Sequence, residues 1–455
     1  MKKLVAALLA VLMILGVFVG CGAKETPAPE KPAPTEDAVK PEKTEEPETT
    51  ETTEKKPFEG VTIHALLFSN QTTDAIKKVA ALAEEKYGMK FEYEYRPNGP
   101  EGENIVKTRL ASGEIPDIMN FNTGALFEAL NPSEYFMDLS GQPFVDKYID
   151  TYKECVTIDG AVYGAPVCAG DVGGVMYYKP DYEELGLEIP TTWDEFLANC
   201  EALKAAGKTP VLGTFGDNWT SQVPFLADNY NVLQQAPDFV EEFEAGTAKF
   251  ATTPAALDSF QKMYEMEPYL NEDYSVATYD DGCDMMANGE ATHWFILSGA
   301  LANIGALYPE AVNDIGFFAV PAREAENTGL TVWMLPSFYV SKTAENREAI
   351  MAFLDLYLSE EGLNTFASVL PVGGPIYVKD YEMPEETCDA VKVDMMKYLN
   401  DGNAGPALEF MTSVKGPNCP AICQEVASRQ TTAEEAAAAY DADCEKQALQ
   451  LGLDW

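Results

Sequence analysis

Between Val61 and Phe121 the hydrophobic period switches back and forth between that of a strand and that of a helix, and this constrains the fold more than any other feature. Val61-Thr-Ile-His-Ala-Leu-Leu-Phe68 is an apolar run of strand length, of the kind buried on both faces. Thr73 to Tyr87 then places Ile76, Val79, Ala80 and Ala83 at helical intervals and stops before Gly88. Phe91 to Tyr95 alternates as a strand, Ile105 to Ala111 reads as helix, and Asp117 to Phe121 as strand, followed by the loop Asn122-Thr-Gly124. Strand, helix, strand, helix, strand predicts an α/β fold around a parallel sheet. Ligands of open parallel sheets lie beyond the carboxyl ends of the strands. Asn70, in the loop after the first strand, and Asn122, in the loop after the third, are therefore candidate ligand contacts.

The chain opens on a segment of another kind. Lys2 and Lys3 precede an uncharged apolar run from Leu4 to Val19, too short for a comfortable membrane span, which closes on Val19-Gly20-Cys21. These residues resemble the lipobox of bacterial lipoproteins, with Phe18 where leucine is usual. The resemblance implies a signal peptide over residues 1–20, lipidation of Cys21, and work outside the cytoplasm on a membrane tether. From there to residue 57 the composition is Glu, Thr, Pro and Lys, with scarcely a large apolar side chain. Such a stretch cannot offset its ordering entropy, and it reads as a disordered linker that spaces the folded part from the bilayer.

The remainder, 58–455, is long enough for two cores. Its acidity is extreme: 31 Lys and Arg against 74 Asp and Glu give the whole chain a formal charge of −43. A phosphate-binding protein needs a basic stripe, and none is visible, so nucleic acid is excluded as a partner. The only histidines are His64 and His293, without neighbours at ligand spacing, which argues against a His-based triad or metal centre. No catalytic constellation, metal site or cofactor motif is predicted. Apart from Cys21 there are eight cysteines, with no small-domain disulfide framework, and buried free thiols are the expectation.

Several blocks, in order, resemble one family. Ala111-Ser-Gly-Glu-Ile-Pro-Asp-Ile118, Ile158-Asp-Gly-Ala-Val-Tyr-Gly-Ala-Pro166, Val175-Met-Tyr-Tyr-Lys-Pro-Asp181 and Leu185-Gly-Leu-Glu-Ile-Pro-Thr-Thr-Trp-Asp-Glu-Phe196 are similar to segments of extracellular solute-binding proteins that serve ABC transporters, in the carbohydrate-binding group that includes maltose-binding protein. The last block is also a physical helix start, with Thr192 able to cap and Glu195 able to reply from three residues on. Met286-Ala-Asn-Gly-Glu-Ala-Thr-His-Trp294 resembles a further segment of that family, although Thr292 replaces a common Met and the Trp is displaced. Asp314-Ile-Gly-Phe-Phe-Ala-Val-Pro321 and Leu335-Pro-Ser-Phe-Tyr-Val-Ser-Lys342 continue the likeness.

The resemblance implies a two-lobed, periplasmic-binding-protein-like type II fold, its lobes joined by hinge strands with the ligand cleft between them. By analogy the N-terminal lobe holds 58–167 and 316–370, and the C-terminal lobe holds 170–313 and 373–455. Gly170, Gly173, Gly174, Gly373 and Gly374 suit hinge segments, where a few residues absorb large changes in φ and ψ.

The implied function is a lipid-anchored, monomeric carrier on the outer face of the cytoplasmic membrane of a Gram-positive bacterium. It would close on a carbohydrate and hand it to the permease subunits of an ABC transporter, without making or breaking a bond. A sugar cleft needs flat aromatic faces for ring C–H surfaces and polar groups for hydroxyls. Trp219, Trp294 and Trp333 are the candidate stacking residues, and Asp171, at the first predicted crossing, the candidate hydroxyl acceptor. Two alternatives remain open at this point: a tethered glycosidase using paired carboxylates, and a binding protein for a non-sugar solute.

Overall fold

The computed structural model describes residues 55–455 apart from 70, 71, 98, 99, 168 and 335. Cys21, the leader, nearly all of the Pro/Thr/Glu-rich segment and Asn70 thus lie outside the described residues.

The alternation read from the sequence is present. β1 (Thr62–Phe68), α1 (Thr72–Tyr87), β2 (Lys90–Arg96), α2 (Pro100–Ser112) and β3 (Ile118–Phe121) follow one another, and β1 pairs in parallel with both β2 and β3. α1 turns Ile76, Val79, Ala80 and Ala83 inward, the stripe its spacing predicts. The chain next makes β4 (Gly164–Pro166) and runs straight into β5 (Asp171–Tyr178), the centre of a second sheet.

On that second sheet follow α3 (Trp193–Ala205), β6 (Val211–Leu212), α4 (Tyr279–Ala287), β7 (His293–Leu297), α5 (Ala300–Leu307), β8 (Ile315–Phe318) and β9 (Leu330–Trp333). α3 starts as expected: the Glu195 backbone N–H donates to the Thr192 hydroxyl, and the Glu195 carboxylate accepts from the Thr192 N–H. The chain then returns to the first sheet with β10 (Ser337–Val340), α6 (Arg347–Tyr357) and α7 (Glu360–Ala367). It crosses back for β11 (Ala404–Pro406) and ends on α8 (Cys419–Ala427) and α9 (Ala433–Leu451).

The first sheet has the order β2-β1-β3-β10-β4, and the second the order β11-β9-β5-β7-β6 with β8 also on β5. One expected boundary is corrected by this pairing. Ile315 to Phe318 pair with Tyr178 to Val175, and Thr331 to Trp333 with Gly173 to Asp171, so 316–333 belong to the second sheet and not to the first lobe. The crossing comes later, between Trp333 and Ser337. β8 and β9 share one edge of the long β5, a non-local choice of partner that their apolar sequences do not announce.

Two crossings between the sheets lie at 167–170 and 334–336, and the third follows Tyr381, because Tyr377 and Lys379 still bond to Ile149 and Lys147 and the Tyr381 hydroxyl to Asn364, which corrects the expected start of the second lobe's last part at 373. The segment 371–377 ties the first two together. Gly170 N–H donates to the Pro375 carbonyl at 2.7 Å, and the Tyr377 hydroxyl donates to the Trp333 carbonyl at 2.9 Å. A Cβ on Gly374 would stand 1.9 Å from the Gly170 carbonyl oxygen, so this contact requires glycine. The seven described cysteines are free thiols, and all but the half-buried Cys155 are buried. Among the described residues no helix is long and apolar enough to cross a membrane.

Candidate functional site

A cavity of about 640 Å³ opens where the crossings meet, and both lobes line it. Val167, Ala169, Gly170 and Asp171 from the first crossing and Gly373, Gly374 and Ile376 from the segment bonded to it form its floor. The first lobe contributes Thr72 at the start of α1 and Leu363 and Phe366 of α7; the second contributes Trp219, Tyr279, Leu297 and residues of α5. This is a cleft between lobes at a set of hinges, the place where closure would surround a ligand.

Asp171 is the only charged side chain among the described lining residues. It is positioned by Ser298, whose hydroxyl donates to Oδ1 at 3.3 Å while accepting from the Val172 N–H at 3.1 Å. The Gly299 N–H also donates to the carboxylate. A Cβ at Gly299 would lie 2.9 Å from Asp171 Oδ1, so a side chain there would displace the carboxylate. Burial without a cationic partner pushes the Asp171 pKa up to about 6, against the opposing pull of those two donors. The group is thus a partly desolvated acceptor with lone pairs to spare, suited to take paired hydroxyl donors.

Beside it runs an aromatic column. Trp219 and Tyr279 have ring centroids 5.4 Å apart, and Tyr279 and Trp294 are 5.6 Å apart. The column passes from core to water: Trp294 is 1% exposed and Trp219 37%. Tyr279 is held from both ends. Its N–H donates to Asp217 Oδ2 at 2.7 Å, and its hydroxyl accepts from the Asn303 amide at 2.6 Å. Burial raises its pKa above the ordinary tyrosine value, so it remains a neutral hydroxyl.

The predicted contacts separate accordingly. Asp171 and Trp219 line the cleft together. Trp294 does not reach it; on β7 it packs under Tyr279 and Gly282, with Nε1 3.3 Å from the Thr214 hydroxyl. It supports the column from beneath. Trp333 is 9% exposed, packs against Gly173, and donates from Nε1 to Glu409 at 2.6 Å; it too is absent from the lining. Asn122 is likewise outside the cleft lining, its carbonyl accepting from the Tyr339 hydroxyl at 3.2 Å. Asn70 falls outside the described residues, although its neighbour Thr72 lines the cleft.

Tyr279 was not legible as a site residue. It opens a capped helix, with Thr278 and Asp281 forming the capping box, and nothing in that local pattern marks one aromatic as facing a cavity. A glycosidase would need two carboxylates facing one bond, and the described lining holds only Asp171. Nor, among the described residues, do three or more His, Cys, Asp or Glu gather where they could hold a metal.

The geometry defines a two-lobed solute binder, and comparison with known proteins gives it a family. The profile of the family described as bacterial extracellular solute-binding protein matches residues 69–363, and the chain belongs to that family. A multiple sugar-binding protein of Streptococcus mutans is 27% identical over 244 residues, 51% of this chain and 56% of that protein's length. An uncharacterized ABC transporter extracellular-binding protein of Pyrococcus horikoshii is 23% identical over 74% of this chain and 79% of its own length. Among solved structures, the apo form of RafE from Streptococcus pneumoniae superposes with a TM-score of 0.72 at 20% identity, covering 85% of this chain and 98% of that one. A chitin oligosaccharide binding protein superposes with a TM-score of 0.65 at 22% identity, covering 85% and 98%. These likenesses establish the type II solute-binding fold.

Proposed function

We propose that this protein captures a sugar or oligosaccharide in the cleft between its lobes and delivers it to the membrane subunits of an ABC transporter. The observation that carries the reading is the convergence of both lobes and the crossings on one cavity that holds a carboxylate without a cationic partner beside a solvent-facing aromatic pair. Trp219 offers a face to ring C–H groups, and Asp171 accepts from hydroxyls. Support also comes from relatives and structural neighbours whose names specify sugars, among them RafE in complex with raffinose.

Closure follows from the geometry. Ligand touches both walls only when the lobes are shut, so binding favours the shut state by the differential contact energy. The reading includes no bond-breaking step. Cys21 carries the lipid anchor, and the Pro/Thr/Glu-rich segment after it gives the binding unit reach above the membrane. Several acyl chains hold a protein at a bilayer where one does not, which suits a resident carrier on the outer face of a Gram-positive cell. The carrier works as a monomer.

Thermal shifts against a panel of mono- and oligosaccharides, amino acids, polyamines and metal ions test the reading, because a ligand that binds only the folded state raises its stability by RT ln(1 + [L]/Kd). A shift confined to sugars is expected. A shift for an amino acid, polyamine or metal with none for any sugar overturns it, and so does cleavage of an oligosaccharide on incubation.

A further inference from the structure

Among the described residues the polar side chains of the cleft lie on the floor and the second-lobe wall, with Thr72 the one polar side chain from the first lobe. Asp171 stands on the floor, and the Tyr279 hydroxyl and Trp219 indole on the second-lobe wall beside it; the Asn303 amide is already spent on Tyr279. Besides Thr72, the first-lobe wall presents Leu363, Phe366, Leu370 and Val372. α5 begins beside Asp171 and, at about 1.5 Å per residue, carries Ala306 about 9 Å further out than Ala300. The apolar lining continues to the mouth. Ala302, Ala306, Ala367 and Pro371 complete it.

A free sugar carries hydroxyls around its whole rim. Those turned toward the outer part of this cleft would lose their hydration without finding partners among the described side chains, which disfavours binding. An apolar group in the same place would gain from the walls. We propose, on the reading that the cleft takes a sugar, that its ligand is a glycoside with an apolar aglycone. The sugar ring lies against Trp219 with hydroxyls on Asp171, and the aglycone lies outward between Ala306 and Leu370.

Isothermal titration with matched methyl and 4-nitrophenyl glycosides of glucose, galactose, xylose and cellobiose tests this. For every sugar that binds, the aryl glycoside is expected to bind at least about tenfold more tightly than its methyl partner. The ratio should fall toward one in Ala306→Gln and in Leu370→Asn, two variants on opposite walls whose folding is checked by their melting temperatures. Equal binding of methyl and aryl partners overturns the aglycone subsite and leaves the sugar reading standing. A tenfold ratio that persists in both folded variants overturns its assignment to these walls. If no glycoside and no free sugar binds, the sugar reading itself fails, and this inference fails with it.

Discussion

The two walls of the cleft are built in different ways. The second-lobe wall is the outer end of a column, Trp294–Tyr279–Trp219, rooted in the core and finished in water. The first-lobe wall is the edge of a core: Leu363 and Phe366 are 8% and 7% exposed, and they reach the cavity only by their margins. Along the column, the buried residue and the cleft-facing residue are different. On the opposite wall the same side chains are both. A substitution therefore separates the two properties on one wall and couples them on the other.

The largest expected effect lies at the root of the column. Trp294→Ala removes a fully buried ring and should cost about 3–5 kcal/mol in denaturant unfolding. Trp219→Ala, at the exposed end, should change stability by less than about 1 kcal/mol. Equal losses at the two positions would remove the distinction between root and tip. Next in size, Asp171→Asn should weaken sugar binding by about 1.5–3 kcal/mol in calorimetry at pH 7.5, since a charged acceptor becomes a neutral one.

Asp171 also links the cleft to pH. Its folded-state pKa is raised, from 3.8 to about 6, so the folded protein holds a proton that the unfolded chain releases. The stabilisation from that proton is complete below pH 3.8 and is lost as pH rises through about 6. Asp171 stays partly open to cleft water, so the amount is on the order of 1–2 kcal/mol. Melts of the wild type and Asp171→Asn should coincide near pH 4 and diverge above pH 6, with the variant the more stable. Affinity for hydroxyl donors should move the opposite way and strengthen as Asp171 ionises. A variant less stable than the wild type at pH 8 would mean that the carboxylate has a cationic partner after all.

Smaller effects sharpen the contrast. Trp219→Ala should weaken sugar binding about tenfold, in keeping with the loss of one stacking face. Thr192→Ala removes the cap of α3, remote from the cleft, and should cost about 1 kcal/mol of stability while leaving the dissociation constant unchanged.

Much of this was written in the sequence. The strand and helix periods from Val61 to Phe121 and the cap at Thr192 are local signals, and the structure uses them as read, whereas Gly173 and Gly174, read as hinge residues, lie paired inside β5. Orientation within central strands was not legible. β7 is buried along His293 to Ile296 and β9 along its whole length, so neither shows an alternation that would tell which way Trp294 or Trp333 points. Trp219 escaped this ambiguity because it lies in a polar loop, Gly216-Asp-Asn-Trp-Thr-Ser221. The late return to the first sheet was hidden for a related reason: β8 and β9 are apolar on both faces and would suit either sheet. Only pairing along β5 decides between them.

The central claim is that both lobes close on a sugar held by Asp171 and Trp219. Small-angle X-ray scattering, with and without a saturating sugar chosen from the thermal-shift panel, tests it most directly. The account predicts a smaller radius of gyration with sugar for the wild type, and at the same sugar concentration a markedly reduced change for the Asp171→Asn, Trp219→Ala double variant. An unchanged radius in the wild type, with binding shown by calorimetry to be saturated, would contradict it.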